Sequence, residues 1–261
     1  MIRVENLSKQ FSRASNSFWK REQNEIVQAV TNVSFTAADG QITGLLGANG
    51  AGKTTSLRMI AALLKQDSGQ ILVDGVAVHA GEQRTQAQMG VLSDARGLYP
   101  RLSARENIVY YGLLHGMTRE QANGRVDQLA EILDLKKFIE RRCDGFSQGE
   151  KMKTALARAL VHDPRNIILD EPTNGLDVVA TRALREFLRW LRSEQGGSKC
   201  IIFSTHIMQE VERLCDQVVV IAHGATVAQG TVLQLLEQTQ ENDFENAFVK
   251  LAFEPAHRDA A

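Results

Sequence analysis

The chain has almost no surplus of charge: 30 lysines and arginines stand against 31 aspartates and glutamates, a formal net charge of −1. Such a balance exerts no global pull on nucleic acid or anionic lipid, so no nucleic-acid partner is expected. Cysteine is scarce as well: Cys143, Cys200 and Cys215 show no CxxC or paired spacing. This spacing suits a reducing cytosol better than a disulfide scaffold. No apolar run approaches the roughly 20 residues of a membrane-spanning helix, and the N-terminus lacks the apolar stretch of a signal peptide. The expectation is a chain soluble by itself, which leaves room for a membrane-embedded partner. Aromatics make up only 6%, yet 43% of the 261 residues are hydrophobic, enough for a full core and one α/β unit with subdomains.

What is present alternates. MIRVENLSKQF reads as a strand, and VTNVSFTAADG, with Val30, Val33 and Phe35 alternating, as its neighbour. The polar, mixed-charge SRASNSFWKREQNE between them reads as a loop. QITGLLG is a short apolar strand, followed by a glycine-rich turn and the helical pattern TTSLRMIAALL. Asp74-Gly75, between QILV and VAVH, signals a hairpin. From about residue 88 to 162 the pattern turns helical, and Ser103 with Glu106, Thr118 with Gln121 and Ser147 with Glu150 have capping-box spacing. These signals predict an inserted helical subdomain. Alternation then resumes through NIILD, TRALREFLRWLR, CIIFS, MQEVERLC and QVVVIA, as in a largely parallel sheet covered by helices. Past Thr231 two short helices are expected, the second with Phe244, Ala247, Phe248 and Leu251 on one face.

Chemistry concentrates in three places. GANGAGKT, comprising Gly47, Ala48, Asn49, Gly50, Ala51, Gly52, Lys53 and Thr54, fits G-x-x-x-x-G-K-[ST] after a strand and opening a helix; Thr55 follows. Glycines let successive N–H groups turn toward phosphate oxygens, and the helix adds roughly half a positive charge at its start. Lys53 would bridge the β- and γ-phosphates of a bound nucleotide, and Thr54 would place its hydroxyl on Mg²⁺. Asp170 ends an apolar strand, so it is expected at the sheet's carboxyl edge, holding Mg²⁺ through water, with Glu171 as general base or water-orienting group. Taken without the phosphate loop, those two acids would read as a solvated turn. His206, in FSTH at the end of the next strand, could reach the γ-phosphate and the attacking water. His79, His115, His162, His223 and His257 have no such company.

The phosphate loop, FSQGE, NIILDEPTNGLD and STH, in this order and spacing, resemble an ABC-type ATP-binding subunit over about residues 2 to 236. GLLGANGAGKTT, VLSDARGLYPRLSARENI, EPTNGLD and HGATVAQG followed by FENAFVKL resemble its sodium- and drug-exporter branch. The implied fold is α/β: a P-loop NTPase core of ABC type with a small antiparallel β subdomain and the helical insertion. An ATP-binding domain would span residues 1–238, and a tail with a short helix 239–261. The resemblance implies a head-to-tail homodimer in which Ser147, Gln148 and Gly149 contact the γ-phosphate of the ATP bound to the other copy, and Asp177 speaks across the dimer. It implies ATP hydrolysis coupled to transport through a polytopic permease subunit, and so a cytoplasmic place on the inner face of the membrane. Phe11 stands where an aromatic stacks on adenine, with Phe18 or Trp19 as substitutes. Two departures stand out. The usual Leu-Ser-Gly-Gly-Gln has Gln148 for its first glycine and Glu150 for its last residue, and the glutamine that senses Mg²⁺ aligns with Asp94, which can ligate the ion but cannot donate a hydrogen bond. The other reading is a soluble ATPase of this fold, such as the iron–sulfur cluster assembly type.

Overall fold

Backbone pairing follows the apolar alternation of the first 80 residues and the apolar runs of the rest. The computed structural model describes residues 1–13, 25–81, 83–93 and 97–253. In chain order these form β1 (Ile2–Arg13), β2 (Glu25–Ala37), β3 (Ile42–Leu46), α1 (Lys53–Ile60), β4 (Ser68–Val73), β5 (Val76–Ala77), α2 (Gln83–Gln86) and β6 (Met89–Leu92). There follow α3 (Ala104–Leu114), α4 (Arg119–Ile132), α5 (Gln148–Leu160), β7 (Asn166–Asp170), α6 (Val178–Arg192) and β8 (Cys200–Thr205). The chain closes with α7 (Met208–Leu214), β9 (Gln217–Ala222), β10 (Ala225–Gly230), α8 (Val232–Thr239) and α9 (Phe244–Phe253). Two units result: Met1–Ala37, Thr43–Glu82 and Thr205–Ala261 make one, Ala38–Ile42 and Gln83–Ser204 the other.

In the first unit β1 lies between β2 and β4, antiparallel to both, with Ile2 facing Ala37 on one side and Val73 on the other. The Asp74-Gly75 turn closes β4 onto β5 as its sequence predicts, both residues having positive φ. β10 pairs parallel with β2 at Ala225 and Asn32 and antiparallel with β9, which runs parallel to β3. All five residues of β3 are buried, as the continuous apolar run of a strand covered on both faces requires. The tail is two helices, as expected, and Phe244, Ala247 and Phe248 of α9 join Leu46, Val218, Val220 and Leu235 in one buried cluster, with Leu251 packed beside it. The expected loop after β1 falls largely outside the described residues; Ser12, Arg13 and Glu25 belong to the strands.

In the second unit β6, β7 and β8 are parallel, with Met89 opposite Asn166 and Asp170 opposite Ser204. The helical stretch therefore does not begin at residue 88: Met89–Leu92 is a strand, and the next helix after it starts at Ala104. Four residues of strand carry too little periodicity to announce themselves beside long helical patterns. All three expected capping boxes are present, at Ser103, Thr118 and Ser147, each with its side chain accepting from the backbone three residues on. A fourth, Thr231 with Gln234, opens α8 in the first unit. α6 buries Leu184, Phe187, Leu188 and Leu191, the stripe of an amphipathic helix.

Candidate functional site

The phosphate loop spans the six residues between the last residue of β3 and the first of α1. Gly47 admits no side chain, because a Cβ there would sit 2.4 Å from the carbonyl oxygen of Ile221 on β9. At Gly52 a Cβ would sit 2.7 Å from the Ala29 carbonyl oxygen, and its φ of 104° is left-handed. Gly50, with φ +81°, faces open space. The loop is also tied from behind by the Gly224 N–H to the Ala51 carbonyl, 3.1 Å. Lys53 is 5% exposed, and its ammonium donates to the carbonyl oxygens of Gly47 at 2.7 Å and Ala48 at 3.1 Å. A cation is thus held under a loop whose tip, Ala48 to Gly50, is exposed, and the helix start adds its dipole; a cradle of this kind fits a polyphosphate. Thr54 and Thr55 are half-buried on the first turn of α1.

Sequence reasoning missed what lies behind this loop. A cavity of about 190 Å³ is lined by Ala48–Ala51, Ile221, Ala222 and His223 and by Ala252 and Phe253, the last residues of α9. The tail helix therefore reaches the phosphate loop, although in sequence it reads only as an amphipathic appendage. Phe11, on β1, is 41% exposed, and the Lys9 ammonium lies 5.7 Å from its ring centroid.

In the second unit Asp170 ends β7 as expected, and the Ser204 hydroxyl donates to its Oδ1 at 2.5 Å. Glu171 follows with φ +47°, a left-handed conformation that costs a residue with a side chain of order 1–3 kcal/mol and concentrates at functional turns. Its N–H donates to the Ser204 carbonyl (3.2 Å) and hydroxyl (3.1 Å), and the Asn174 amide donates to its carboxylate. Ser204 thus holds the Asp170 carboxylate and the Glu171 backbone; it lies within FSTH, where the sequence offers no signal for this role. His206 is exposed and follows directly on β8.

Ser147 is the N-cap of α5, and its hydroxyl oxygen accepts from Glu150 N at 3.2 Å. Ser147 and Gln148 are exposed, and Gly149 is half-buried. Gly175 lies against Gln148: a Cβ on it would come within 3.2 Å of the Gln148 Cβ. Asp177 is the N-cap of α6, accepting from Ala180 N at 2.7 Å. Val178 and Val179, next to it, are 82% and 78% exposed. Asp94 lies outside the described residues, as do Phe18 and Trp19.

A nucleotide-cradling loop with a paired-acid strand end and a serine-capped, glycine-bearing helix defines a P-loop ATPase. The ABC transporter family profile matches residues 30–174, more than half of the chain. The ABC transporter ATP-binding protein NatA of Bacillus subtilis (strain 168) is 41% identical over 230 residues, covering 88% of this chain and 92% of that protein. The Nod factor export ATP-binding protein I of Rhizobium sp. (strain N33) is 38% identical over 80% of this chain and 68% of its own length. A solved structure of an ATP binding subunit of an ABC transporter superposes with a TM-score of 0.80 at 25% identity, covering 96% of this chain and 98% of that one. The chain belongs to the ABC transporter family as an ATP-binding subunit, and it is an ATPase.

Proposed function

We propose that two copies of this chain pair head to tail around two ATP molecules and drive an exporter whose membrane path lies in a separate permease subunit. The observation that carries the pairing is the exposed start of α5. Ser147 and Gln148 are exposed, Gly149 permits close approach, and exposed Val178 and Val179 give the same unit an apolar spot suited to burial. The export role rests on the relatives' names, one of which is that of a Nod factor export protein, and speaks against the iron–sulfur assembly reading. Among the described residues no helix is long and apolar enough to cross a membrane, so the path itself is assigned to the permease. In this reading the chain works in the cytoplasm, on the inner face of the membrane.

In this reading the backbone of Gly47–Gly52 and the ammonium of Lys53 hold the β- and γ-phosphates. Thr54, Asp170 and Asp94 are oxygen donors of the kind magnesium takes. Bound magnesium supplies charge neutralisation on the phosphate oxygens. Glu171 takes the proton of the attacking water as its oxygen bonds to the γ-phosphorus and the bond to ADP breaks; His206 positions that water. Phe11 stacks on the adenine, and Asp177 passes the state of one site to the other. Ligand binding confined to the closed pair stabilises it by about 2.7 kcal/mol per site at a hundredfold excess over Kd. The domain spanning residues 1–238, with the helical insertion that follows β6, would carry all of this, and 239–261 would be an accessory tail.

Glu171→Gln tests the scheme. Turnover should fall by at least about 100-fold, and gel filtration with Mg-ATP should show a dimer that the wild type does not retain. A monomer at saturating Mg-ATP would refute the pairing. Affinity capture from detergent-solubilised membranes should bring down a polytopic protein; recovery of water-soluble proteins alone would refute the export role.

A further inference from the structure

Glu150 stands where the ABC signature ends in glutamine, and its surroundings differ from those of the other capping boxes. At α4 and α8 a glutamine, Gln121 or Gln234, accepts from the N-cap backbone at 2.8 Å, so a neutral amide suffices to close a box in this chain. Glu150 does the same for Ser147 N at 2.8 Å through Oε2, while its other oxygen receives the Arg141 guanidinium at 2.9 Å. These contacts hold its carboxyl below the ordinary carboxylate range, first through the Ser147 N–H and then through the Arg141 charge. The acid is therefore ionised at neutral pH, within one turn of the Ser147 hydroxyl. Uncompensated, that charge would oppose a triphosphate at the same helix start and spend the helix dipole that should attract it.

Arg141 is built into place. Its N–H donates to the Phe138 carbonyl at 2.9 Å, its carbonyl accepts from Ala104 N at 3.2 Å at the start of α3, and its guanidinium lies 5.5 Å from the centroid of the buried Phe146 ring. The Arg141 side chain is 55% exposed, so the pair contributes little to stability and its removal leaves a folded chain.

We propose that Arg141 is a positioning residue for the signature segment: its guanidinium neutralises Glu150, so that α5 presents Ser147 and Gly149 to the partner copy's triphosphate without an opposing charge. The idea rests on the head-to-tail reading above. It is tested by steady-state hydrolysis on the full chain as a function of Mg-ATP concentration. Arg141→Ala should raise the half-saturating concentration about fivefold with kcat changed less than about twofold, and the increase should shrink in 1 M salt. Arg141→Lys, which keeps the charge, should stay near wild type, and Arg141→Ala combined with Glu150→Gln should restore the wild-type midpoint. An unchanged midpoint in Arg141→Ala, or no rescue by Glu150→Gln, overturns the proposal. Ser147→Arg separates the two levels: if it abolishes turnover while Arg141→Ala is silent, only the role of Arg141 falls, and if Ser147→Arg hydrolyses ATP normally, the head-to-tail reading falls.

Discussion

Acidification should weaken the second unit through His162. His162 stacks face to face on His115, with ring centroids 3.6 Å apart and planes within 4°, and its Nε2 lies 3.2 Å from the Met89 carbonyl oxygen. That carbonyl requires a donor, so Nδ1 is the unprotonated nitrogen, and it is buried without a hydrogen-bond partner. Burial first, and then the neighbouring His115, lower the His162 pKa from 6.5 to about 4. Burial also lowers that of His115. The other charges at this corner are Asp163, whose carboxylate receives Arg125 at 2.9 Å, and Lys199 at 3.1 Å from the same oxygen.

Because the folded pKa lies below the unfolded one, the unfolded chain binds the proton more readily between pH 6.5 and 4. The stability contributed by the neutral ring is therefore complete above pH 6.5 and is lost as pH falls toward 4. A gap of about 2.5 in pKa corresponds to roughly 3 kcal/mol in all, of which about 2 kcal/mol is gone by pH 5. Urea unfolding followed by tryptophan fluorescence at pH 7, 6, 5 and 4.5 measures it. His162→Phe keeps a flat ring on His115 and removes the titration, so it should be less stable than wild type at pH 7 for want of the Met89 hydrogen bond, yet lose less stability on acidification. If the two proteins lose stability in parallel from pH 7 to 5, the assignment to His162 is wrong.

Three further outcomes follow from the site. Gly47→Ala drives a methyl into the Ile221 carbonyl, displaces the phosphate loop from β9, and should cost about 1–3 kcal/mol in thermal unfolding together with loss of fluorescent ATP-analogue binding. Ser204→Ala removes the donor to Asp170 and one acceptor of the Glu171 N–H, and should lower kcat roughly 10-fold to 100-fold while the chain still binds nucleotide in equilibrium dialysis. Asp177→Ala loses the N-cap of α6 and should destabilise the chain by about 1 kcal/mol, whereas Asp177→Asn should recover most of that stability in the same denaturation assay.

Local chemistry was legible from the sequence because each signal is complete within a few residues. The phosphate loop needs only its own glycines, Lys53 and the helix that follows; a capping box needs two side chains three residues apart; the Asp74-Gly75 hairpin needs a turn whose φ angles suit it. The short apolar runs that became β3, β7 and β8 were equally plain, since strands buried on both faces have nothing to alternate.

Tertiary structure decided whatever depends on residues distant in sequence. Met89–Leu92 is a strand because β7 offers it a parallel edge, against a local pattern that reads as helical. Ser204 matters because the register of β7 and β8 sets it opposite Asp170. The same holds for Phe253 behind the phosphate loop, for the imidazole of His162 lying on that of His115, and for Arg141 closing on Glu150. Short-range rules of capping, turns and periodicity act within a turn or two of chain. Burial, like-charge proximity and charge pairing act through space, and only the folded chain determines which side chains share it.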